Sequence, residues 1–308
     1  MAGLDSSLVH LEEVGKLDNI CKSILSKKQV LARILKGTIE AYKNYSAEEI
    51  AEKFIEGEPK VNKVPVHRDE ITGMNTEDNS ETEGEVRYDV LFKAKVPDSD
   101  KDEEYIVNVE SQGDYYTKYP LLSRAVYYCG RLLSAQKDRE FSNDNYQDIR
   151  KVHSIWVCLN GNDKTSKANE NTIASYVFTK KDIYGNQQFK RTDYDLVEII
   201  MICLGDEEKA DNELLACLGT FFSSKKDAET KKRILHDEHG IIFDSDIEQE
   251  VDNMCNYGEY VLEKGEENAT VKLLKNIMKN LNLPIDKALV VAEVPEDKWA
   301  LYKQLVLG

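Results

Sequence analysis

The sequence predicts an α/β protein: a mixed β-sheet flanked by helices, followed by a helical C-terminal extension. Two changes of apolar period carry that prediction. Apolar residues recur at helical spacing over 28–42 and again over 119–136, whereas between them, over 86–112, they alternate. From Lys151 to Asn160 (KVHSIWVCLN) they run almost without interruption. Alternation marks a strand with one wet face, and a continuous run marks a strand covered on both, as crossover helices require.

Taken in order, Lys28 to Tyr42 places Val30, Leu31, Ile34, Leu35, Thr38 and Ile39 on one face, an amphipathic helix. Ser46 followed by Glu49 is a capping-box pair and opens a second short helix through Phe54. Arg68 to Glu85 holds seven acids and one Arg together with Gly73 and Gly84, the composition of an irregular loop. Val86, Tyr88, Val90, Phe92, Ala94 and Val96 alternate with Arg87, Asp89, Leu91, Lys93 and Lys95, and after a polar turn Tyr105, Val107 and Val109 alternate with Ile106, Asn108, Glu110 and Gln112. A hairpin pairing Val90 with Val109, Phe92 with Val107 and Ala94 with Tyr105 gathers one apolar face. A slip of one residue would mix the faces. The same register sets Asp89 opposite Glu110 and Arg87 opposite Gln112.

Tyr119 to Gln136 follows as a helix with a stripe of Leu121, Leu122, Ala125, Val126, Cys129, Leu132 and Leu133. Ile173 to Thr179 is a further strand. Leu196 to Leu204 (LVEIIMICL) fits a strand or a buried helix, because an unbroken apolar run has no period to separate them. Asp206 to Asn282 reads as mostly helical, and Leu283-Pro284 and Val294-Pro295 divide a tail of two short helices.

Composition removes several function classes. The chain has 308 residues, 41 basic and 57 acidic, for a net charge of −16. That charge argues against a protein that coats nucleic acid or a membrane through a global basic surface. No apolar run approaches bilayer thickness, and the first residues carry no apolar leader segment. The expectation is a cytoplasmic protein with no membrane partner. Six scattered cysteines, mostly in apolar stretches, suit reduced core thiols. No phosphate-binding glycine loop or dinucleotide fingerprint is present, and His236 with His239 lacks the spacing of a zinc site.

The chemistry concentrates on the hairpin. Two carboxylates directly opposite each other repel, so Asp89 and Glu110 call for a counter-charge, a shared proton, solvent or a cation. A hard divalent ion takes one or two carboxylates with water and phosphate oxygens, and Gln112 on the same face is placed to orient a water. A solvated acidic face is the plain alternative. Between Lys118 and Lys151 seven basic residues stand against four acids. Arg124 and Arg131 share a helical face with Tyr127 and Tyr128. They suit phosphate contact, with pairing of Arg124 to a carboxylate as the structural alternative.

Asp89 in RYDVLF, Glu110-Ser-Gln112 in IVNVESQGDYY, and Arg124 with Tyr127-Tyr128 in YPLLSRAVYYCGRLLSAQ together resemble the PD-(D/E)XK nuclease family transposases. That family is related to the recombination-promoting nucleases. The resemblance continues through VHSIWVCLN, EIIMICLG and KKRILHDEHGI, covering most of 28–262. It implies a restriction-endonuclease-like core over 28–192 with the acidic loop 68–85 inserted, a mainly helical extension over 193–262 and a short helical tail over 263–308. It also implies a DNA endonuclease that uses Mg²⁺, with Mn²⁺ as a substitute. Asp89 and Glu110 would be metal ligands, Glu40 a further acid of the site, and Gln112 would stand where the superfamily has Lys. Arg124, Tyr128 and Arg131 would contact phosphate. Tyr88 replaces the Pro of the superfamily name, and neutral Gln112 can hydrogen-bond but brings no charge. The alternative is a catalytically silent nuclease-fold protein acting as a nucleic-acid- or protein-binding module. The C-terminal helices would serve a homo-oligomer.

Overall fold

The computed structural model describes residues 15–61, 77–80, 84–99, 103–115, 117–160, 170–223 and 225–307. The chain divides into two units, Met1–Asp252 and Asn253–Gly308.

The first unit is built on a six-stranded mixed sheet of order β1-β4-β5-β6-β8-β7. Its strands are β1 (Lys60–Val61), β4 (Val90–Lys95), β5 (Glu104–Asp114), β6 (Val152–Asn160), β7 (Thr172–Val177) and β8 (Val197–Cys203). β4 and β5 are antiparallel, β5, β6 and β8 are parallel, and β7 closes one edge antiparallel to β8. The hairpin has the expected register, with Val90 facing Val109, Phe92 facing Val107 and Ala94 facing Tyr105. Val90, Ala94, Val107 and Val109 are wholly buried, which is why a slip would be costly.

The ladder begins at Val90, so Arg87 does not pair with Gln112. Arg87 instead faces Glu77 in a small antiparallel pair, β2 (Glu77–Ser80) with β3 (Gly84–Arg87). This corrects the reading of 68–85 as wholly irregular; residues 68–76 and 81–83 lie outside the described residues. The run Leu196 to Leu204 is a strand, β8, paired along its length with β6. The sheet therefore continues beyond residue 192, into the segment expected to be mainly helical. The unit boundary at Asp252 likewise falls short of 262.

Helix α1 (15–26) leads directly into α2 (Lys28–Thr38). Val30, Leu31, Ile34 and Leu35 of α2 are buried, each contributing about 1.5–3 kcal/mol by leaving water. The helix stops at Thr38, and Glu40–Tyr42 forms a separate 3-10 turn. The capping box of Ser46 and Glu49 is formed in both directions and opens the short α3 (Ala47–Glu49). Helix α4 (Leu121–Ser134) crosses from β5 to β6, burying Leu121, Ala125, Cys129 and Leu132. Val126, placed in that stripe from the sequence, is 56% exposed.

Helices α5 (Glu213–Phe222) and α6 (Ala228–Asp237) complete the layer, and α7 runs over Ser245–Leu281. Gly37 of α2 is required by close approach: a Cβ there would lie 2.8 Å from Leu214 Cδ2 on α5. In the second unit, Leu274 packs with Ile285, Ala288 and Leu289 of α8 (Ile285–Val291) and Tyr302 of α9 (Trp299–Leu307). Among the described residues no helix is long and apolar enough to cross a membrane.

Candidate active site

Asp89 is the second residue of the two-residue step, Tyr88-Asp89, between β3 and β4, and Glu110 lies in the middle of β5. The continued hairpin register brings the two together: the Asp89 amide donates to Glu110 Oε1 at 3.3 Å. The Ser111 amide donates to Asp89 Oδ2 at 2.9 Å, so each acid is held by backbone next to the other. Glu110 Oε1 also accepts from Asn108 Nδ2 at 2.9 Å, two residues back on the same face.

Glu110 is 1% exposed. Burial raises its carboxyl well above the ordinary range, and the Asp89 charge raises it further, against the hydrogen bonds from Asp89 and Asn108 and the charge of Arg124. The Asp89 carboxyl is raised too, chiefly by burial, with Lys22 pulling against the shift. Two neighbouring acids forced upward together form one coupled titrating site, an arrangement common where cations or protons are handled.

Lys22, from α1, is the strongest counter-charge. Its Nζ lies 2.9 Å from Asp89 Oδ1 and 2.5 Å from Asp18 Oδ2, one helical turn back. Burial opposes its ammonium, but Asp89 and Asp18 more than offset that and raise its pKa. Sequence reasoning misses this residue because its first predicted helix begins at Lys28. A signal was available: Cys21, Ile24 and Leu25 mark an apolar face, and Asp18 with Lys22 is an i,i+4 pair.

Arg124 approaches from α4. Its Nη2 is 4.0 Å from Glu110 Oε2 and donates to Tyr128 Oη at 3.0 Å, while Nη1 donates to Tyr119 Oη at 3.2 Å and to Gln112 Oε1 at 3.5 Å. The guanidinium lies 5.0 Å from the Tyr128 ring centroid and 5.1 Å from that of Trp156. Arg124 thus stands near the Glu110 carboxylate while its side chain, 32% exposed, reaches solvent at the edge of the site.

The other expected site residues are less closely joined. The Tyr128 ring packs edge-on to Tyr88 and tilted against Trp156, so it supports Arg124 from within the core. Arg131 is 5% exposed and donates to Tyr127 Oη at 3.1 Å, about two helical turns from Arg124. Glu40 is exposed and ion-paired with Lys43. No contact among the described residues joins it to Asp89 or Glu110, because α2 ends before it. Its neighbour Tyr42 donates to the Lys95 carbonyl at the opposite end of β4.

Among the described residues no group of three or more His, Cys, Asp or Glu is placed to share a metal ion. The hard-oxygen donors at hand are the two carboxylates; Asn108 turns its Nδ2 to Glu110, and its buried Oδ1 has no hydrogen-bond partner. Such hard oxygens, few in number and close to a phosphate-compatible cation, fit Mg²⁺, which keeps most of its water shell. They fit zinc poorly, since that ion favours nitrogen and sulfur. No family model, curated protein or solved structure matches the chain.

Proposed function

We propose that the chain is a metal-dependent DNA endonuclease, hydrolysing phosphodiester bonds and related in origin to mobile-element or recombination-associated nucleases. The observation that supports this most is the buried Glu110 carboxylate held beside Asp89 by reciprocal backbone bonds. Burying two acids side by side is costly, whether both stay charged or Glu110 is forced to hold its proton, and stability alone gives no reason to retain them. A divalent cation held by Asp89 and Glu110 would lower the pKa of a bound water and offset charge on the phosphate.

The chain's own residues do the positioning. Gln112 presents an amide oxygen, near the Arg124 guanidinium, that can accept a hydrogen bond from the attacking water. Arg124 offers its guanidinium edge to a non-bridging phosphate oxygen. Lys22 brings to Asp89 the positive charge that Gln112 lacks. In the reaction the water oxygen bonds to phosphorus and the bond from phosphorus to the leaving sugar oxygen breaks; that oxygen takes a proton from solvent and departs as a hydroxyl, while the attacking water gives up both its protons to solvent, for a net release of one.

One observation favours the second reading, a catalytically silent nuclease fold used for binding. The Lys22 ammonium already compensates Asp89, so the pair can persist as an internal salt bridge without an added ion. Cleavage of supercoiled plasmid at low salt with Mg²⁺ or Mn²⁺ separates the two. The nuclease reading expects nicking that is lost in folded Asp89→Ala and Glu110→Ala variants. No nicking by the wild type, with no divalent binding by calorimetry, rejects it. We further read the C-terminal helices as a surface for homo-oligomers, to be checked by the mass in solution of the full chain and of one truncated after 262.

A further inference from the structure

The cations around the acidic pair are already engaged. Lys22 is held by Asp18 and Asp89, Arg124 by Tyr119, Tyr128 and Gln112, and Arg131 is buried against Tyr127. A chain of net charge −16 therefore has few phosphate contacts to offer at this site. It offers exposed aromatic rings instead. Tyr119 is 49% and Tyr127 50% exposed, although both hydroxyls are fixed by hydrogen bonds from arginines. Tyr119, just ahead of α4, and Arg124 and Tyr127 on its first turns border the site, since Arg124 bonds both Tyr119 and Gln112. Lys118 stands exposed beside Tyr119.

Rings pinned at the hydroxyl end but open to solvent are preorganised flat surfaces. In duplex DNA the base faces are stacked on one another and closed to such rings; in a single strand they are available. Resting on the nuclease reading above, we infer that the substrate is single-stranded nucleic acid, or a single-stranded segment such as a flap or gap, whose bases stack on Tyr119 and Tyr127. The scissile phosphate then lies toward Arg124 and the acidic pair. Affinity comes from stacking more than from phosphate neutralisation, so binding is only weakly sensitive to salt. With two phosphate contacts, from Lys118 and Arg124, the slope of log K against log salt is about −1.4.

The test is fluorescence anisotropy of labelled 20-mers, single-stranded and blunt duplex, with the full chain in chelator so that no hydrolysis occurs. The expected result is single-strand binding at least tenfold tighter than duplex binding. It should be weakened about tenfold in Tyr127→Leu and kept within twofold in Tyr127→Phe, which retains the ring. Equal or tighter duplex binding, a Leu variant that binds like wild type, or no binding of either form overturns the inference. Cleavage of duplex that depends on Asp89 and Glu110 but ignores Tyr127 sinks it while leaving the nuclease reading intact. Ring-dependent single-strand binding without any cleavage does the reverse.

Discussion

Replacing Lys22 by Met keeps the length of the stem and removes the ammonium from Asp89. The Lys22 and Asp89 side chains are 16% and 13% exposed, so their 2.9 Å contact belongs with buried rather than surface ion pairs. Removing one member of such a pair costs about 3–5 kcal/mol, because the other charge is left without compensation. The Ser111 amide still reaches Asp89, and some solvent remains, which places the expectation near the lower end, about 3 kcal/mol. Asp18 adds little, being 42% exposed. In a unit of this size the loss lowers Tm by roughly 6–12 °C. Adding Asp89→Asn to Lys22→Met removes the stranded charge and should restore most of the loss. Mg²⁺ should raise the Tm of Lys22→Met more than that of wild type, since the ammonium and the ion compensate the same carboxylate. Differential scanning calorimetry with urea denaturation reads all three. A Lys22→Met chain within about 0.5 kcal/mol of wild type would refute the argument, since it would show Asp89 is not dependent on this cation.

Glu110 takes up its proton more readily in the folded chain than at its ordinary value of 4.5, so its stabilising contribution is present at acid pH and lost as pH rises through the folded pKa. Glu110→Gln should therefore gain on wild type as pH rises above 4.5 in urea melts; a difference constant with pH would contradict this. His153 has the opposite sign. Burial, with help from the Lys151 charge, lowers its pKa from 6.5 to about 3, so stability falls as pH drops below 6.5, by up to about 1.4 kcal/mol per pH unit. Neither nitrogen of the neutral ring has a hydrogen-bond partner, and Nδ1, 3.4 Å from Glu198 Oε2, pairs with it only when the ring is charged, so His153→Phe should match or exceed wild-type stability at pH 7 and flatten that decline. A loss above 1 kcal/mol at pH 7 would instead show that the imidazole is needed there. Arg124→Lys cannot keep two ring stacks and three acceptors at once. It should cost about 1–2 kcal/mol and lower any nicking rate at least tenfold, and an unchanged rate would remove Arg124 from the site.

The hairpin was legible in the sequence because a two-residue period admits one register that keeps Val90, Phe92 and Ala94 with Val109, Val107 and Tyr105. That register alone carried Asp89 to Glu110. Helix direction was legible for α4, where Arg124 and Tyr128 at i,i+4 do meet. What failed were questions of where an element stops and what crosses over it. Periodicity extended α2 through Glu40, yet the helix breaks at Thr38, and Glu40 turns outward to Lys43. Lys22 reaches Asp89 across 67 positions of chain, a contact set by how α1 lies against the hairpin. No local spacing encodes such a contact. The Leu196 to Leu204 run was ambiguous for a different reason: a strand covered on both faces has lost the alternation that identifies it.

Trp156 turns the site into its own optical probe. The chain has two tryptophans. Trp299 belongs to the second unit, where its indole donates to the Val294 carbonyl, while Trp156 is wholly buried, bonded to Ser154 and covered by the Arg124 guanidinium. In a Trp299→Phe chain every photon of indole emission comes from beneath Arg124. Drawing that guanidinium toward a phosphate removes a positive charge from over the excited ring. The emission wavelength and its quenching by acrylamide then follow ligand arrival in real time, with no label attached.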